Sequence, residues 1–219
     1  TPKPSSAASD VYKRQLLFPS LIFGTNDLGL YFDISVHAGT LIAVVYYFRN
    51  EIFLMSKSLL VTNSFNEDKN LAIQLIIATI PIVILGFIFR DLISQRIFSI
   101  NDIAISNLIF ASILLFAFLN NKGKKTLINI TILGACFIGL FQCFALIPGA
   151  SRSGAAITAG LLIGLSLKDA SKFGFLLAIP TILGALTFLI FDLNNGNVSF
   201  DLLNISIGFF TSMIFAFFT

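Results

Sequence analysis

The sequence predicts an all-α polytopic membrane protein, and three observations carry that expectation. First, 56% of the 219 residues are hydrophobic and only 11% are charged, with a mean hydropathy of +0.92. A soluble domain carries about a quarter charged residues, so this chain could not keep its surface wet. Second, the apolar stretches 30–48, 71–89, 103–119, 127–147, 173–191 and 202–218 approach the ~20 residues that a crossing helix needs. Third, two apolar pieces, 16–24 and 154–165, are only about half that length. Short or Gly/Pro-broken segments of this kind read as re-entrant half-helices around a site at membrane mid-depth. The expected architecture is an inverted-repeat helical bundle with re-entrant half-helices.

An internal echo supports the repeat. The segment FDISVHAGTLIA at 32–43 can be laid on FGFLLAIPTILG at 173–184, so that Phe, Thr and a small residue coincide. A half-length piece precedes each. Residues 1–15 are polar and Ser/Ala/Pro-rich, and are read as a non-native or disordered lead; residues 16–219 form a single transmembrane domain, expected to be truncated at both ends.

Composition excludes other classes. A net charge of +3 is too small to imply a nucleic-acid partner. With 25 Phe and no Trp, the membrane-interface aromatics are left to Phe and Tyr. Cys136 and Cys143 lie on one apolar segment. Helical rise separates them by roughly 10 Å, beyond disulfide reach, so they read as packing residues.

Lysine and arginine set the orientation. Arg49, Lys57 and Lys69 occupy the loop 49–70, and Lys122, Lys124 and Lys125 the loop 120–126; Arg90 and Arg96 lie between. The first two loops are expected in the cytoplasm. Segment 127–147 is then expected to cross outward, so that the loop after it opens at the outer face.

That loop reads Pro148-Gly149-Ala150-Ser151-Arg152-Ser153-Gly154. A charged side chain at membrane depth costs at least ~2.5–3.5 kcal/mol, which makes Arg152 a site candidate. Pro148 ends the preceding helix. Gly149 and Gly154 permit tight turns and the close approach of a ligand. Ser151 or Ser153 can cap the next half-helix, whose free N–H groups point at the loop. Arg152 adds a planar donor fork that fits phosphate oxygens, and Thr158, one turn on, adds a hydroxyl. Two readings stay open at this point: a phosphate or diphosphate pocket, or an arginine snorkelling to the interface beside a helix cap.

Other polar residues carry similar alternatives. Gln142, in an apolar helix, needs a partner; support of the loop and plain interhelical bonding both fit. His37, the single histidine, is either a hydrogen-bonded core residue or part of the site. Asp33 reads as a membrane-edge residue. Ala156, Gly160 and Gly164, four apart, read as a packing stripe.

The stretch GLFQCFALIPGASRSGAAITAG at 139–160 closely resembles the second signature of the undecaprenyl-diphosphate phosphatase family, the bacitracin-resistance type. Segments 173–184 and 32–47 resemble the family's flanking helices, and the resemblance extends from residue 16 to the end. It implies an inverted-repeat enzyme of the bacterial inner membrane with paired re-entrant helices. Such an enzyme removes one phosphate from undecaprenyl diphosphate at the outer face, recycling the carrier lipid for peptidoglycan synthesis.

In that resemblance Arg152, Ser151 and Ser153 grip the phosphate; the reading of the residues themselves adds Gly149, Gly154, Thr158, Gln142 and His37 as expected substrate-binding residues. It also implies a divalent cation, Mg or Ca, and, as partners, the lipid diphosphate, membrane lipids and a second copy of the chain. The family's first signature, a glutamate pair four apart and then a Pro-x-Ser-Ser-x-Gly/Ala-His loop, does not occur here. Its glutamates would serve the metal or the attacking water, and no residue of this chain matches them. The polypeptide as given is therefore expected to be inactive. A polyprenyl-phosphate transporter or flippase is the alternative, since broken half-helices suit alternating access equally. A membrane acid phosphatase would need a histidine downstream of His37, and the sequence has none there.

Overall fold

The computed structural model describes residues 29–60, 66–94, 99–123, 125–194 and 202–218. Among them the chain is helical: α1 (Gly29–Tyr47), α2 (Arg49–Leu60), α3 (Glu67–Ile88), α4 (Arg90–Ser94), α5 (Ile100–Asn120), α6 (Ile132–Gln142), α7 (Arg152–Leu162), α8 (Leu167–Asn194) and α9 (Leu202–Phe218), with 3-10 turns at Leu127–Asn129 and Cys143–Leu146. It is an all-α, multi-pass membrane protein. Within α3, α5 and α8, the stretches Glu67–Ile88, Asn101–Asn120 and Leu167–Phe188 are long and apolar enough to cross a bilayer. The expected half-helix at 16–24, like the lead at 1–15, lies outside the described residues.

Helix starts obey local capping chemistry. Asn66 accepts from the Lys69 N–H at 3.0 Å, and Thr131 accepts from Gly134 at 3.1 Å. Ser99 and Asp102 form a reciprocal capping box at the head of α5. Each side chain satisfies a backbone donor that the first helical turn leaves free.

Packing buries small residues together with a few large ones and leaves many large apolar side chains outside. On α3, Ala72, Leu75, Ala78 and Ile82 are buried, while Ile76, Ile80, Ile84 and Phe87 are exposed. Where the surrounding solvent is as apolar as leucine, helices associate through close backbone approach rather than by hiding large side chains. Gly139 of α6 sits against the Ala78 backbone of α3, where a methyl group would collide; Gly39 of α1 meets Phe209 and Ser212 of α9 in the same way. The core runs through Ala135, Ile138, Ala159, Leu165, Phe173 and Leu177.

Three expectations are corrected. Segment 127–147 does not cross: it breaks into a 3-10 turn, the 11-residue α6 and a second 3-10 turn. Together α6 and α7 make a re-entrant hairpin whose two ends close on each other. The Lys125 N–H donates to the Gly164 carbonyl at 3.2 Å, and the Ser166 N–H donates to the Lys125 carbonyl at 3.0 Å. Asn121 Nδ2 reaches the Leu165 carbonyl at 2.8 Å, and Lys125 Nζ the Ile163 carbonyl at 3.0 Å. Asn121 and Lys125 thus saturate the carbonyls at the end of α7, which holds both hairpin ends on one face. Segment 49–70 is likewise no simple loop, since α2 occupies most of it. Glu51 on α2 pairs with Lys172 on α8 at 3.0 Å, placing α2 beside the hairpin base.

Gly164 also leaves the packing stripe. Its φ of 92° makes it the turn residue after α7, while Ala156 and Gly160 do pack, Gly160 against Ala170.

Candidate phosphate-binding loop

The tip of the hairpin holds the arginine. Ser151 is the N-cap of α7, its Oγ accepting from the Gly154 N–H at 3.1 Å, and Ser153 Oγ lies 3.4 Å from Ser151 Oγ. Among the described residues, the N–H groups of Arg152 and Ser153 take no partner within the fold. Two free donors at a helix start, with the helix dipole behind them, form an anion cradle.

Arg152 is half-buried, and among the described residues no carboxylate pairs with it. His37, exposed on α1, lies within electrostatic reach of its guanidinium. An unpaired guanidinium in a sheltered place calls for an anion, because its own desolvation is otherwise uncompensated.

The remaining candidates are sorted by the same geometry. Gly149 has a φ of 94°, and a Cβ there would collide with the Ile103 carbonyl of α5. The close approach that demands glycine is thus to a neighbouring helix. Gly154 leaves room for the capping Ser151, whose Cβ and Oγ would lie 3.0 and 3.1 Å from an added methyl. Thr158 is 2% exposed and donates its hydroxyl to the Gly154 carbonyl at 2.7 Å, so it stiffens the half-helix from behind. Gln142, 1% exposed, donates from Nε2 to Thr181 Oγ1 at 3.0 Å, tying the end of α6 to α8.

Sequence reasoning passed over Thr181 as a partner, although the internal echo aligned it with Thr40. A hydroxyl next to Pro180 in an apolar helix was the available signal.

The loop packs against the start of α5. Gly149 touches Ile103, about one turn into α5. Next to the tip, a cavity of about 310 Å³ is lined by Leu85 and Phe89 at the end of α3, by Leu92 and Ile93 of α4, and by Leu140 and Phe144. The site therefore sits toward the opposite end of α5 from the hairpin base.

Among the described residues, no three His, Cys, Asp or Glu side chains come together as a metal site. The guanidinium beside His37 also suits an anion rather than a cation there. The described residues therefore do not fit a divalent ion.

Residues 12–219 match the family described as Bacitracin resistance protein BacA. The chain belongs to this family. Among BacA relatives, the undecaprenyl-diphosphatase of Alcanivorax borkumensis is 41% identical over 207 residues, covering 93% of this chain and 78% of that protein. The undecaprenyl-diphosphatase of Alteromonas mediterranea is 41% identical over 190 residues, covering 85% and 71%. Undecaprenyl-diphosphatase 1 of Pseudoalteromonas translucida is 42% identical over 170 residues, covering 76% and 64%.

Proposed function

We infer that this protein is an undecaprenyl-diphosphate phosphatase, a hydrolase that cleaves the lipid diphosphate to the monophosphate and inorganic phosphate. BacA membership and relatives of that name support the activity. The observation that ties it to this chain is Arg152, without a carboxylate partner among the described residues, beside two N–H donors that take no partner there, at the hairpin tip.

In this reading the terminal phosphate rests on the N–H groups of Arg152 and Ser153, and the guanidinium grips two of its oxygens. Ser151 and Ser153 contribute hydroxyls, and His37 approaches the same group from α1. Water attacks the terminal phosphorus, the bond to the bridging oxygen breaks, and that oxygen leaves on the lipid monophosphate. Charge builds on the bridging and peripheral oxygens as this happens. Donors already fixed in place stabilise it without reorganising, which is how electrostatic preorganisation lowers such barriers. Gln142 and Thr158 hold the loop from behind. The isoprenoid tail lies along the apolar cavity between the end of α3 and the 3-10 turn at Cys143–Leu146.

The charges at the hairpin base support an orientation. That base gathers Lys122 and Lys125, and the start of α8 adds Lys168 and Lys172. The positive-inside rule puts that face in the cytoplasm, so the tip opens outward across the bacterial inner membrane. The divalent cation that the family resemblance implies would draw its ligands from outside the described residues.

The deciding experiment measures inorganic phosphate released from undecaprenyl diphosphate by the purified full-length protein in detergent. Stoichiometric release is expected. Translocation of labelled lipid in vesicles with no phosphate released would replace this reading with a flippase.

A further inference from the structure

The helix that leads into the arginine loop has two unlike faces. On α6, Ala135, Ile138, Gly139 and Gln142 are buried against the fold. Leu133, Phe137 and Leu140 are exposed, and their four- and three-residue offsets set them in one row along the helix. Phe144, in the turn that follows, continues the row, since it is exposed and shares a cavity with Leu140.

This row joins two cavities. The one beside the loop, about 310 Å³, is lined by Leu140 and Phe144 and reaches Ile147, the residue before Pro148. The other, about 280 Å³, is lined by Leu133 and Phe137 with Ile163 from the end of α7. Lys125 and Asn129 also line that second cavity, so polar groups appear where the row stops. Aromatic rings brace the path between them. Phe137 meets Phe141 at 6.0 Å, Phe141 meets Phe144 at 5.3 Å, and Phe144 meets Phe110 of α5 at 5.6 Å.

We propose that this row seats the first isoprenoid units of the lipid diphosphate and makes hydrolysis selective for tail length. The inference rests on the hydrolase reading, because a head group held at Arg152 starts its tail at the loop end of the row. Continuity with the loop sets this face apart from other lipid-facing surface. Spacing favours an isoprenoid over a plain acyl chain. With bonds of about 1.5 Å, the four chain carbons of one unit extend to about 5 Å, close to the helical pitch of about 5.4 Å. A tail laid along α6 therefore brings one methyl branch and one double bond to each successive turn. From Phe144 to Leu133 the row covers about 16 Å, room for roughly three units.

The test compares phosphate release from undecaprenyl diphosphate and from geranyl diphosphate by the purified full-length protein in detergent. Two units end short of Phe137, so the shorter substrate cannot touch the far end of the row. Phe137→Ala and Leu133→Ala should each lower kcat/KM for the long substrate about three- to tenfold, the size of one specific aromatic or apolar contact, and leave geranyl diphosphate unchanged. Leu133 is 82% exposed, so its variant leaves the packing intact. Equal losses on both substrates would make the row a support for the loop, and no loss on either would leave it to ordinary acyl chains; each result overturns the proposal. A second arm needs no turnover: farnesyl diphosphate with a benzophenone at its tail end should crosslink within residues 133–137, and phosphatidylglycerol should not compete. Crosslinks elsewhere, or competition by phosphatidylglycerol, would overturn the proposal as well. Absence of phosphate release from either substrate by the unaltered protein would instead sink the hydrolase reading, and the crosslink would then decide the row alone.

Discussion

The amide of Gln142 and the hydroxyl of Thr181 meet at 3.0 Å, both buried, and the Thr181 hydroxyl in turn donates to the Leu177 carbonyl at 2.7 Å. This relay fastens the last turn of α6, just before the arginine loop, to the middle of α8. Gln142→Leu should cost about 0.5–1.5 kcal/mol, the net value of one such bond. Thr181→Val should cost a similar amount, and the double variant little more than either single one. Thermal unfolding of all four proteins in one detergent checks this coupling; full additivity would deny it.

Arg152→Lys keeps the charge and removes the planar fork. If two phosphate oxygens are held at once, turnover of undecaprenyl diphosphate by the full-length protein should fall by at least ~100-fold, as when one transition-state donor is lost. Phosphate release at matched expression is the measurement. Undiminished turnover would reduce Arg152 to an interfacial residue.

Gly149→Ala forces a side chain onto a φ of 94° and against the Ile103 carbonyl. Backbone strain alone amounts to about 1–3 kcal/mol. The unfolding temperature should fall, and hydrolysis should fall with it because the loop cannot keep its seat on α5. Gly154→Ala meets only the Ser151 side chain and should be milder.

Hydrogen bonding from Lys172 holds the Glu51 carboxyl below its ordinary value of 4.5, with the ammonium charge adding to it. A carboxyl depressed in the folded state stabilises the protein above its unfolded value, and that contribution disappears as pH falls through the folded one. Glu51 is partly exposed, so solvent screening limits the pair to ~0.2–1 kcal/mol. A Glu51→Gln/Lys172→Met double-mutant cycle should show coupling at pH 7 that weakens only as pH falls below 4.5. No coupling at pH 7 would contradict the pairing.

The re-entrant hairpin makes a topological prediction. With Cys136 and Cys143 replaced by serine, single cysteines at Lys122 and Lys168 should react with an impermeant thiol reagent from one face, and a cysteine at Ser151 from the other. Labelling of positions 122 and 168 from opposite faces would restore a full crossing between them.

Composition and apolar run length were enough to establish a helical membrane protein, because hydropathy is summed locally and lipid forces every backbone group into helices. The spacing of Pro148, Ser151, Arg152 and Gly154 likewise exposed the loop, since caps and turns act within a few residues. Run length misread 127–147 as a crossing, however, because an apolar stretch records affinity for lipid or protein interior but not where the chain turns back. That turn depends on Asn121 and Lys125 binding carbonyls about forty residues away. The bond between Gln142 and Thr181 and the bond from Gln74 to the Ile130 carbonyl are both long-range. Each arises only when separate helices pack, so only the tertiary structure could decide them.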